Sequence, residues 1–178
     1  MTLDTDPTSP TFNAYCTILQ SDAYHATRLH NTAWTGAITA TKEAAIIWAT
    51  RNFETLLWKG WKSDPAQNLQ WPRTGVFKDG DEVQDRLAFP LLYSQFMLDG
   101  TTIPTFLREA TAEAAMWLIA SDTTAPVGTE GFSRIKADTI ELQIDKRDRL
   151  KWLNDSTKNI IWRYVRNSNP YMANARRV

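Results

Sequence analysis

Three tryptophans stand beside cations, or one residue away, between positions 58 and 75: Trp58-Lys59, Trp61-Lys62 and Trp71-Pro72-Arg73. A groove for single-stranded nucleic acid uses this pairing, rings stacking on bases while cations follow the phosphates. The same residues have a plainer reading. Tryptophan next to proline and glycine pins a loop to a core, and Lys59, Lys62 and Arg73 can simply be solvated. A formal net charge of zero weighs against strong intrinsic DNA affinity, since phosphate neutralisation supplies much of it.

Other chemistry is sparse. His25 and His30 are five apart and so fall on different helix faces, with no His-Glu-x-x-His pattern or acidic cluster beside them. They read as surface or half-buried polar residues. Cys16 has no neighbouring cation to activate its thiol and reads as a small buried hydrophobe. As the single cysteine it excludes an internal disulfide and a multi-cysteine zinc site. Gly60, Gly75, Gly80 and Gly100 are isolated and form neither a P-loop nor a dinucleotide fingerprint. Asp79-Gly80-Asp81-Glu82 lacks the ligand period and closing glutamate of a calcium loop. The chain is therefore expected to be a non-enzyme with no catalytic set, no cofactor and no metal.

The aromatic loop needs a scaffold, and the sequence predicts a mainly α one. Residues 1–12 hold Pro7, Ser9 and Pro10 with little apolar content and read as an extended arm. Asn13 to Leu19 is strand-like, and Ser21 offers an N-cap to a short helix from Asp22 to His30. From about Ala40 to Leu57 the pattern is clearly helical. Ile46, Ala49, Phe53, Leu56 and Leu57 share a face, opposite Lys42, Glu43, Thr50, Arg51 and Glu54. Residues 58–75, rich in turn formers, read as an ordered loop rather than a helix or strand.

Residues 81–98 are apolar, interrupted by Pro90 and without a clean period, and suit an interface or a flap over the core. Pro104 fits the first position of a helix to about Ala120 with Leu107, Ala110, Thr111, Ala114 and Leu118 on one face, whose small residues let another helix come close. Ile140, Leu142 and Ile144 alternate with polar residues as a half-buried strand. Ile135 and Ala137 are out of phase with them, which predicts a turn or bulge near Asp138 and a strand or hairpin over 134–145. Residues 148–166 return to helix with a break and cap around Asn154 to Ser156, and 167–178 form a flexible or partner-ordered tail.

At 178 residues the chain suits one domain, here 13–166, with a core that needs no staple. Eight Trp, seven Phe and five Tyr are more aromatic surface than such a core must hold, so some belong in interfaces. Residues 146–178 carry nine Lys or Arg against two Asp, while residues 1–145 carry eleven basic and eighteen acidic side chains. This asymmetry points to a partner, or to a solvated helix with a trailing tail. The start, with Asp4 and Asp6, is not that of a signal peptide. No apolar run reaches the roughly 18 residues of a membrane span, so a soluble protein with no membrane partner is expected.

Several segments recur in one known setting: Asn13-Ala14-Tyr15 before Ser21-Asp22-Ala23-Tyr24, the alanine-rich helix, and Gln67-x-x-x-Trp71-Pro72-Arg73. Asp99-Gly100-x-x-Ile103-Pro104, followed by Ala110-Thr111 and Ala115, is a further one. Over about residues 13–145 the chain resembles the small head-tail connector, or adaptor, proteins of tailed bacteriophages, many of which carry the label "DnaT-like single-stranded DNA-binding". The resemblance implies a virion protein at the head-tail interface, present in the host cytoplasm during assembly. It further implies a mostly helical subunit in a ring of about twelve copies, using head-to-tail interfaces. Its partners would be the portal and a tail tube or nozzle protein, with double-stranded DNA passing through the channel.

On that reading Trp162, Arg163, Arg166, Tyr171, Arg176 and Arg177 are candidate portal contacts, and Phe89, Leu92, Tyr93 and Phe96 are candidate contacts to a neighbouring subunit or the tail. Acidic residues would line the channel so as not to hold the DNA. The alternative that the label suggests, single-stranded DNA binding, would use Trp58, Lys59, Trp61, Lys62 and Arg73.

Overall fold

The computed structural model of the chain describes residues 2–79, 93–123, 134–137, 140–143 and 152–166. Three helices open the fold: α1 (Ile18–Ala26), the single turn α2 (Thr32–Thr35) and α3 (Thr39–Glu54). The start of α1 is set by a capping box. Thr17 accepts from Gln20 N at 3.1 Å and donates its own N–H to Gln20 Oε1 at 2.9 Å. The helix thus begins before Ser21, and the expected strand over 13–19 is absent. Ser21 is buried instead, its hydroxyl 3.2 Å from the sulfur of Cys16.

Along α3, Ile46, Ala49, Phe53 and the following Leu56 are buried as their spacing requires. Thr50 and Leu57 depart from the pattern, as does Glu54, which is bonded to Tyr15 and Gln70. Thr50, expected on the polar side, is fully buried because its hydroxyl donates to Ile46 O at 3.0 Å and accepts from Tyr15 N at 3.3 Å, so it needs no water. Leu57 lies beyond the helix end at Glu54, where the chain turns away, and is exposed.

The next helix, α4 (Thr105–Ala120), follows Pro104, which is its N-cap rather than its first helical residue. This helix is the axle of the fold. Leu107 and every residue from Ala110 to Met116 are buried, and α1, α2, α3 and α5 (Asp155–Ile161) all pack on it. Its alanines let four neighbours approach a single helix. Asn154 caps α5 by accepting from Thr157 N at 2.9 Å, at the break expected there; the chain then tightens into a 3₁₀ turn, Trp162–Tyr164, instead of continuing as α-helix.

The β content is small. Between α3 and α4, β1 (Trp61–Lys62) pairs antiparallel with β2 (Arg73–Thr74), so the loop expected to lack strands contains a two-residue ladder. A 3₁₀ turn, Tyr93–Phe96, precedes α4. β3 (Arg134–Ala137) and β4 (Ile140–Gln143) form the expected hairpin, in the register Ile135↔Leu142 and Ala137↔Ile140. Phe89, Leu92, Tyr171, Arg176 and Arg177, most of the 81–98 segment, the 167–178 tail and the turn at Asp138 lie outside the described residues.

The N-terminal arm is held to the body. Phe12 is buried with its ring edge-on to Tyr15, 6.1 Å between centroids, and Leu3 packs on the same core. The Asp4 carboxylate clasps the intervening turn, accepting from Ser9 and Thr11 hydroxyls and from Asp6 N, which together hold its pKa below the ordinary value. Among the described residues, no helix is long and apolar enough to cross a membrane.

Candidate functional site

The Trp58 to Gly75 loop is built from the core outward. Trp58 is buried, donates from its indole to Phe53 O at 3.0 Å, and meets Trp71 edge-on at 5.5 Å. Trp71 is fully buried and meets Phe106 of α4 edge-on, also at 5.5 Å; Phe106 stacks flat on Tyr164 at 3.6 Å. With Phe53 of α3 edge-on to Trp58 at 6.2 Å, rings from α3, the loop, α4 and the Trp162–Tyr164 turn form one continuous series. Edge-to-face pairs of this kind add about 0.5–1.5 kcal/mol each beyond their burial. The backbone follows them: Lys59 N donates to Tyr164 O at 2.9 Å and Arg166 N to Leu57 O at 2.8 Å, either side of the Trp58–Val165 bridge.

Polar groups finish the fastening. Tyr15 donates to Glu54 and accepts from Trp71 N at 3.3 Å, while the Glu54 carboxylate also accepts from Gln70 N at 2.9 Å. Burial raises the pKa of both groups, that of Tyr15 further because Glu54 is beside it. Arg73 is buried, and among the described residues its guanidinium donates to neutral acceptors: Lys59 O at 2.8 Å, Gly60 O at 2.7 Å, and the carbonyl and side-chain oxygens of Gln70 at 3.2 and 2.8 Å. Burial first, and then the charge of Arg166, lower its pKa. The peptide between Trp71 and Pro72 is cis.

The five residues of the nucleic-acid reading are thus divided. Trp58 and Arg73 are interior parts of the loop's own fold, Lys59 is half-buried, and Lys62 donates to Gln67 O at 3.1 Å. Trp61 alone presents its ring, 70% exposed, lying over Gly75. The candidate portal and neighbour contacts, separate in sequence, adjoin through Lys78: Tyr164 donates to Lys78 O at 2.6 Å, and Lys78 N donates to Phe96 O at 2.8 Å. Trp162, Arg163, Arg166 and Phe96 are all exposed, with the Arg163 guanidinium 5.4 Å from the Trp162 ring centre. Tyr93 lies on the turn that leads to Phe96.

A second polar cluster, not singled out by the sequence, centres on Glu113. This fully buried carboxylate on α4 receives Arg28, the Tyr24 hydroxyl at 3.4 Å and Asn154 Nδ2 at 3.1 Å, tying α1 and the cap of α5 to the axle. A lone glutamate in an alanine run was the only signal of it. His25 is buried beside it and His30 is exposed with φ of 60°. Cys16 is buried as expected, its thiol pushed up to about 12 mainly by burial. Among the described residues, no three His, Cys, Asp or Glu stand together as a metal site.

These features define a mostly helical domain whose aromatic loop is locked into the core by stacked rings and a buried arginine. The chain belongs to the family described as "Putative DnaT-like ssDNA binding protein", whose sequence model matches residues 1–178. No curated protein and no solved structure matches the chain.

Proposed function

We propose that this protein is a non-enzymatic head-tail adaptor of a tailed-phage virion, a subunit of a ring that joins portal to tail and lets DNA pass. The observation that carries this reading is how the aromatic side chains are divided. Trp58, Trp71 and Arg73 are spent on the loop's own fold, while large apolar side chains stand exposed on two different sets of elements. Leu19, Leu29, Ile38 and Trp48 belong to the α1–α3 segment; Leu57 and Trp61 belong to the stretch after α3, and Phe96 and Trp162 to the two 3₁₀ turns. Head-to-tail closure of a ring needs two different patches on each subunit. The exposed Trp162, Arg163 and Arg166 suit the portal contact, and Phe96, joined to Tyr164 through Lys78, suits a neighbour or the tail. Light scattering and negative-stain microscopy of the purified chain, alone and with portal, test this. A ring, or a defined complex with portal, is expected; a monomer that ignores portal overturns the reading.

Single-stranded DNA binding is the second reading, favoured by the family description and by the exposed Trp61 ring. Arg73 is buried and Lys62 donates to Gln67 O, so two of the loop's three cations are engaged within it rather than presented beside that ring. Titration of a labelled oligonucleotide at several salt concentrations separates the two. Binding tighter than about micromolar at physiological salt, lost in the Trp61→Ala, Lys62→Ala double variant, would reverse the ranking.

A further inference from the structure

We propose that His25 is an acid-sensitive catch that holds the α1–α2 unit on α4. The imidazole is 1% exposed and lies where three helices meet. Its Nε2 is 3.1 Å from Ala112 O on α4; a carbonyl can only accept, so this nitrogen carries the proton of the neutral ring. The Trp34 ring of α2 leans on it at 4.8 Å and the Tyr24 ring of α1 meets it edge-on at 5.1 Å. Nδ1 is buried and has no hydrogen-bond partner among the described residues. A second proton on Nδ1 would therefore make a buried donor with no acceptor, a cost that the neighbouring ring faces do not remove and that disappears when the helix moves off and the ring meets water.

The charged and titratable neighbours do not offset this. Arg28 of the adjoining turn and Lys42 of α3 oppose a cation there, while Asp22 favours it. The Asp22 carboxylate is, however, already bonded to Lys42 Nζ at 2.9 Å and Trp34 Nε1 at 2.7 Å. Glu113, on the residue after Ala112, is held by Arg28, Tyr24 and Asn154. Burial, ahead of these charges, keeps the histidine below its ordinary 6.5. The closed state thus binds the proton less readily than an open one. Closure is unaffected above pH 6.5, weakens as pH falls from there to the lowered folded value, and weakens no further below it. What opens carries Leu19 and Leu29, so acid would change how part of the exposed apolar surface is presented.

Hydrogen exchange on the full chain tests this, at about pH 7.5 and about pH 5.5 and corrected for the intrinsic pH dependence of exchange. The amides of α1 should open more often by up to roughly tenfold per pH unit below 6.5, while those at the centre of α4 do not change. His25→Gln should remove the pH dependence. Unchanged α1 protection, equal loosening of α4, or the same response in the glutamine variant would each overturn the proposal. Should that variant not fold, the ring signals of the native chain decide, with His30→Gln separating the two histidines. A His25 that titrates at its ordinary value while α1 stays protected overturns the catch; a lowered value moving together with α1 opening supports it.

Discussion

The indole of Trp61 lies so close over Gly75 that a Cβ built on the glycine would stand 2.6 Å from one ring carbon and 2.8 Å from another. Gly75 also has φ of 73°, a conformation that side chains resist. The one exposed ring of the loop is thus seated on a position that tolerates no side chain. Gly75→Ala should cost about 1–3 kcal/mol, the sum of backbone strain and displacement of the ring. Urea unfolding measures it. In a Trp61→Ala background the alanine should cost less, because only the backbone term remains, and equal costs in both backgrounds would show that the ring is not held there.

Arg73→Lys keeps the charge and loses the fork. A lysine cannot reach Lys59 O, Gly60 O and Gln70 together, so the variant should lose about 2–4 kcal/mol despite its conservative character. The unfolding midpoint checks this. A loss below about 0.5 kcal/mol would mean that the guanidinium is solvated rather than structural.

Glu54 gives a pH dependence with a definite sign. Burial, only partly offset by its bonds to Tyr15 and Gln70, raises its folded pKa above the ordinary 4.5. The folded chain therefore holds this proton more tightly than the unfolded one. The contribution to stability is complete below pH 4.5 and is lost as pH rises through the raised value. Glu54→Gln should flatten that part of the profile, read as urea midpoints across a pH series. A native-like slope in the variant would place the titration elsewhere.

Asn154 has two duties that one substitution can separate. It caps α5 through Thr157 N and donates to the buried Glu113. Asn154→Ala loses both and should cost about 2–3 kcal/mol, more than the roughly 1 kcal/mol of a cap alone. Asn154→Asp retains the cap but sets a carboxylate against Glu113. It should be at least as unstable near neutral pH and recover on acidification, as followed by thermal melting. An aspartate variant as stable as the native chain would leave the cap as the only function.

How much could be read in advance varied with range. The faces of α3 and α4 were legible because a helix repeats its neighbours every three to four residues, so Ile46, Phe53, Leu107 and Ala114 declare a buried side on their own. The cap at Asn154 and the hairpin over β3 and β4 were equally local. The start of α1 was misplaced because Thr17 and Ser21 are both fair caps, and only the reciprocal bond of Gln20 and the burial of Ser21 against Cys16 distinguish them.

The loop was the reverse case. Three tryptophans and three cations look alike in a string, since stacking on a base and stacking on a core need the same residue types. Which rings face inward depends on Phe106 and Tyr164, 35 and 93 positions beyond Trp71, and on a carboxylate at Glu54 that a helical wheel assigns to solvent. Composition and period by themselves determined a mainly helical, aromatic-rich chain. Only the tertiary structure decided that Trp58, Trp71 and Arg73 are interior and Trp61 is not, because burial belongs to contacts between distant segments, and local residue preferences carry no record of those distances.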